Sequence, residues 1–175
     1  MKITHYRFAL GLFLITFSSV DAATIQTGPS CSLAQAILSA EMNASYGSCV
    51  VGTSSDVIRV NQDELVQNIP SGTYPDGNNA FKATTSNITI IGNGRTVTFQ
   101  NNSGTPGRLF NVVGGNLQIN SLNFEILPGN TSLIDDGGFM LASGSTVGLT
   151  MVNINGFGAN NSGGAIFSQN ANLYW

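Results

Sequence analysis

Three groups of side chains in this sequence are of types that could do chemistry. Asp135-Asp136, ahead of Gly137-Gly138, is an adjacent acidic pair. Two carboxylates held at a set separation can cleave a glycosidic bond, one as acid and the other as base or nucleophile. Arg95 and Arg108 could supply a lyase's basic residue, with Asp76, Glu125, Asp135 and Asp136 as oxygen ligands for calcium. Tyr46, Tyr74 and Tyr174 could stack on sugar rings.

Each constellation is incomplete. The one histidine is His5, close to the start of the chain, so a serine or cysteine triad would lack its base. Adjacent residues of a strand point to opposite faces, so Asp135 and Asp136 could serve one site only from a loop. A solvated turn is the simpler reading of that pair. Calcium takes about six to eight oxygens, and these acids are dispersed, with no EF-hand-like run. Surface charge is the simpler reading of them, and packing is the simpler reading of the tyrosines. The expectation is a chain with no catalytic residue, no cofactor and no metal site. Asp135, Asp136 and Arg108 stand as weak catalytic candidates, and calcium as a weak ligand candidate.

The elements that must position these residues come from one recurring phrase. Asn87-Ile88-Thr89-Ile90 returns as Asn116-Leu117-Gln118-Ile119, as Thr146-Val147-Gly148-Leu149 and as Asn172-Leu173-Tyr174-Trp175. Each copy reads turn residue, apolar, small or polar, apolar. The step between copies is roughly 26–30 residues, the period of a stacked solenoid. Between copies there is room for two further short strands, which gives a triangular coil. Phe110 aligns with Met140, Val112 with Ala142, Gly114 with Gly144, Leu122 with Val152 and Phe124 with Ile154. These apolar residues should stack inward, because a coil cannot bury its apolar face alone. Asn123 falls on Asn153, with Asn93 one residue out of step, and stacked asparagines can hydrogen-bond as a ladder. An antiparallel sandwich is the competing architecture, but matching at fixed offsets favours the parallel solenoid.

Ahead of the repeats, Ser32 to Met42 reads as a helix. Ser32 and Gln35 form a capping box, and Leu33, Ala36, Ile37 and Ala40 share one face. Such a helix would cover the open end of the first coil. Asp56 to Val60 reads as the first strand, with Ile58 one repeat before Ile88. Breakers between Asn68 and Asn79 mark a loop. Gly92-Asn93-Gly94 reads as a turn separating strands Ile88–Ile91 and Val97–Phe99.

The start of the chain reads as a secretory signal peptide over residues 1–22. Lys2 and Arg7 precede the apolar run from Phe8 to Phe17, and small residues place cleavage after Ala22. The run is about half the length of a membrane span, so no transmembrane segment is expected. Cys31 and Cys49 are the two cysteines, and in an exported chain such a pair most simply forms a disulfide. The organisation is therefore a signal peptide over 1–22, a cap over 23–55 and coils over 56–175. Charged residues make up 9% of the chain and the net charge is −3, so no cationic patch exists for nucleic acid. Several Asn-x-Ser/Thr triplets, at Asn87 and Asn130 for example, would be glycosylated only in a host with that machinery.

Cys31-Ser32-Leu33-Ala34-Gln35-Ala36-Ile37, followed by Gly47-Ser48-Cys49 and Asp56-Val57-Ile58, resembles the CSLREA-type module of secreted bacterial proteins. Ile88-Thr89-Ile90-Ile91-Gly92-Asn93-Gly94 and Gly163-Gly164-Ala165-Ile166 look like the coils downstream of that module. The resemblance covers nearly all of the chain after Ala22. It implies an all-β, right-handed parallel β-helix of the pectin-lyase-like superfamily with surface, adhesive or carbohydrate-related roles. Ala34-Gln35 stands where the family often has Arg-Glu, which removes any role of that charged pair but leaves the helix. The His-Gly element of β-helical pectin hydrolases has no counterpart here.

The expected function is a secreted scaffold for surface or extracellular interaction, adhesin-like or glycan-binding, with a polysaccharide or cell-surface glycan as partner. The alternatives are a polysaccharide lyase or hydrolase with its site in further coils, and the N-terminal part of a larger adhesin. Leu173-Tyr174-Trp175 falls where a coil strand should be running. Further coils, or another chain, are expected to cover that end.

Overall fold

The computed structural model describes residues 21–67, 79–83, 86–100, 107–127, 134–136 and 138–175. The expected signal peptide lies outside the described residues except for Asp21 and Ala22. The expected loop up to Asn79 also lies outside them, save Asn79 itself, which opens a strand.

In chain order, β1 (Ala23–Gln26) precedes α1 (Leu33–Met42). A first coil holds β2 (Ser55–Arg59), β3 (Glu64–Gln67) and β4 (Asn79–Ala83). The second holds β5 (Asn87–Gln100) and β6 (Arg108–Val113). The third holds β7 (Asn116–Ile126), β8 (Ile134–Asp136) and β9 (Met140–Ser143). The fourth holds β10 (Thr146–Thr150), β11 (Asn153–Asn155), β12 (Ala159–Ser162) and β13 (Ile166–Gln169), and β14 (Asn172–Tyr174) follows.

Equivalent strands of successive coils pair side by side, and every pairing between these strands is parallel. The chain is a parallel β-solenoid of about 4 turns, and the antiparallel sandwich is excluded. The largest sheet runs β1-β2-β5-β7-β10-β14, with β3 beside β5 and β11 beside β7. A four-stranded sheet runs β13-β9-β6-β4, and β12 pairs with β8.

The register explains the repeat. Ile88, Leu117, Val147 and Leu173 are successive partners in one row. The first three are at most 1% exposed, so each coil covers its neighbour's apolar side chain. Phe110 lies opposite Met140, Val112 opposite Ala142 and Phe124 opposite Ile154, as the offsets require. One expected match is displaced. Ile58 pairs with Ile90, and Asp56 is the residue opposite Ile88. The two-residue displacement keeps Ile58 on the inner face, because side chains alternate with a period of two.

Tight corners let the wall change direction. Ser121 and Met151 both take φ 53, with Leu122 and Val152 resuming the inner face after them. In the second coil the same corner is made by Gly92-Asn93-Gly94, with Asn93 at φ 52 and Gly94 at φ 77. The expected break between two strands there is instead a bend within β5, where the register with β7 shifts between Ile91 and Arg95. Left-handed backbone costs least for glycine and asparagine, and the second coil uses both.

At the core, Phe81, Phe110, Phe124 and Phe139 are fully buried. Phe110 meets Phe81, Phe124 and Phe139 with ring centroids 4.9, 5.6 and 5.4 Å apart. These tilted and edge-on contacts are the favoured aromatic geometries.

The cap forms as its residues dictate. Ser32 accepts from the Gln35 N–H at 3.3 Å while the Gln35 side chain accepts from the Ser32 N–H at 3.0 Å. Asn43 ends α1 in the left-handed region. Leu33, Ala36, Ile37 and Ala40 are buried, closing one end of the core. Cys31 and Cys49 are bonded. The segment that reads as cap also contributes β1, which pairs with β2 and starts the main sheet one strand earlier than the sequence suggests.

Candidate functional site

The catalytic and calcium-ligand candidates among the described residues fall on three different sheets. Asp135 and Asp136 are consecutive residues of β8, paired with β12. The turn expected there is a strand. Arg108 opens β6 in the four-stranded sheet and is half-buried. Arg95 and Glu125 belong to the main sheet. Arg95 is exposed beside the corner of β5, and Glu125 accepts a hydrogen bond from the Thr98 hydroxyl at 2.9 Å. Asp76, Tyr74 and Asn130 lie outside the described residues. Among the described residues no group of three or more His, Cys, Asp or Glu is placed to hold a metal ion. No described helix is long and apolar enough to cross a membrane.

What the fold does assemble is the outer face of the main sheet. Residues between the inward apolar positions line up there in rows across the coils. Thr24, Val57, Thr89, Gln118, Gly148 and Tyr174 form one such row. Gln26, Arg59, Ile91, Asn120 and Thr150 form the next. Amides and hydroxyls dominate, and Arg59 is the one charge in either row.

Neighbouring amides are tied together. The Asn116 Nδ2 donates to Asn87 Oδ1 at 2.6 Å, and Asn153 Nδ2 donates to Asn123 Oδ1 at 2.7 Å. Thr146 takes the next place after Asn116, so the leading positions of the repeated phrase give one amide pair within a longer row. Asn93 does not join Asn123. Thr96 occupies that register position, and Asn123 Nδ2 donates to the Gly94 carbonyl at 3.0 Å.

The most structured part of this face is the column Gln118–Gly148–Tyr174. Its members sit on three adjacent rungs, spaced by about 4.8 Å as parallel strands are. A methyl group at Gly148 would run into the Gln118 carboxamide, so that amide lies across the bare backbone of Gly148. On the next rung Tyr174 is 59% exposed. The result is a shelf in which the Gln118 amide covers the buried backbone of Gly148, with an aromatic ring on the next rung. Tyr46, the other described tyrosine candidate, sits in the cap and is half-buried, with its N–H on the Ser39 hydroxyl at 3.0 Å. It takes no part in this shelf.

Of these residues the sequence singled out Tyr174 as a sugar-stacking candidate, but not Gln118, Gly148, Asn120 or Thr150. The available signal was the third place of each repeated phrase, which is always small, polar or aromatic and always faces out. No protein-family model, curated protein or solved structure matches this chain.

Proposed function

We propose that the protein is a secreted β-solenoid of the CSLREA type that binds an extended glycan along the outer face of its main sheet. On this reading it is a surface or extracellular interaction scaffold. The single observation that carries the proposal is the Gln118–Gly148–Tyr174 shelf. A tyrosine ring offers a flat apolar surface to the C–H face of a sugar, while amides donate to and accept from its hydroxyls. Rungs about 4.8 Å apart come close to the length of one sugar ring in an extended chain. The scarcity of charge on the face suits a neutral glycan. The Cys31–Cys49 bond fits an oxidising compartment, and the cysteine phrase supports the family reading.

A glycan array with the purified chain tests this. Binding to neutral oligosaccharides should weaken about tenfold in Tyr174→Ala, the loss of about 1.4 kcal/mol expected for one well-used ring. Gln118→Ala should weaken it less. Undiminished binding in both variants would remove the shelf from the account. Release of unsaturated uronate, lost on Asp135→Ala or Arg108→Ala, would replace it with the lyase reading.

A further inference from the structure

Glu64 is a buried titratable group that the outer face does not use. It opens β3 on the inner side of the first coil and is 9% exposed. Its Oε2 accepts a buried hydrogen bond of 2.8 Å from the backbone N–H of Leu33, the first residue of α1. That N–H is one of the helix-start donors with no partner inside the helix. Glu64 Oε1 is also buried.

The position of this bond matters because of what the disulfide does not do. Cys31 and Cys49 both belong to the cap, so their bond closes the cap on itself. It does not fasten α1 to the coils. Apolar packing and the Glu64–Leu33 bond do that.

We propose that Glu64 is a protonation-controlled latch between the cap helix and the first coil, seating the helix firmly when neutral and loosening it when charged. A neutral carboxyl still offers an oxygen to the Leu33 N–H, without a buried charge. Burial raises the Glu64 pKa above the ordinary glutamate value, against the lowering effects of the Leu33 N–H and the Thr27 hydroxyl. None of these three influences is a charged group. The surrounding elements show why. On α1 the one charged residue is Glu41, at the opposite end from Leu33. Beside β3, Asp63 accepts from the Thr96 N–H at 2.9 Å. On β2, the Asp56 carboxylate accepts from Thr53, and Arg59 points outward. On β5, where Val97 is the partner of Glu64, the charge is the exposed Arg95. β4, packed against α1, carries Lys82.

The sign follows from linkage. With the folded value raised, the stabilisation is complete below the unfolded value and is lost as pH rises through the folded one. Carboxyl-carbon NMR titration of Glu64, with amide-exchange protection factors corrected for intrinsic rates, tests this on the oxidised chain. Glu64 should titrate above the ordinary glutamate range. Protection of amides in α1 should fall across that titration, by about tenfold per unit of displacement. Protection at Ile119, deep in the coils, should stay level. In Glu64→Gln the fall in α1 protection should become much smaller, leaving only what Asp56 contributes, whose pKa burial also raises. Titration at or below the ordinary value, or the same slope in wild type and Glu64→Gln, would overturn the proposal. Should Glu64→Gln fail to fold, the wild-type titration alone decides.

Discussion

A single backbone angle shows how the solenoid tolerates a poor residue where the geometry is demanding. Ser121 and Met151 hold the same corner with φ 53. Neither residue type favours that region, which costs an ordinary L-residue about 1–2 kcal/mol. Met151 is 75% exposed, so its side chain contributes little packing. Met151→Gly should therefore raise stability by about 0.5–1 kcal/mol in urea denaturation, the relief outweighing the extra freedom glycine gains when unfolded. Met151→Ile should lower it, since a β-branched residue is least at ease there. The asparagines were legible as corner and ladder residues because their backbone tolerance and amide pairing follow from residue type. Which of them actually pair was not. Asn93 is displaced from Asn123 by the three-residue bend of the second coil, and that extra length becomes visible only in the register.

Among the elements, α1 was the easiest to read. Ser32 and Gln35 mark its start, Asn43 its end, and a four-residue apolar face its purpose. The helix lies so close to the segment leading into β2 that a methyl group at Gly52 would strike the backbone of Ser39 and Ala40. Gly52→Ala should destabilise the protein by about 1–3 kcal/mol, the usual cost of overpacking, because neither backbone can move without unseating the helix. A lowered thermal midpoint with unchanged glycan binding would mark the effect as one of the cap. The short strands were harder to read. β1 has four residues and one buried side chain, Ile25, and is held in place by β2. β8 contains two aspartates, residues disfavoured in strands, and exists through its pairing with β12. Such elements are tertiary products, and their local residues carry almost no signal. The outer shelf was half legible for a related reason. Apolar positions are forced to repeat by packing, whereas the residues between them are free to differ from rung to rung.

For the whole molecule, the aromatic stack is where coils are most firmly joined. Phe110 touches rings contributed by the first coil, through Phe81, and by the third, through Phe124 and Phe139. Phe110→Ala should cost about 3–5 kcal/mol. Because each coil holds only its neighbours, denaturation followed by amide exchange should show the variant opening first around the second and third coils. A single cooperative loss spread evenly over all coils would contradict that picture. The register between Leu117 and Val147 has one more consequence. The two residues occupy the same place one layer apart, so cutting out residues 117–146 would join Asn116 to Val147 and set Val147 against Ile88 in the register that Leu117 now holds. Duplicating that stretch would do the reverse. A lineage of such chains can therefore grow or shrink by whole storeys through simple genetic slippage, and natural variants should differ in height far more readily than in girth.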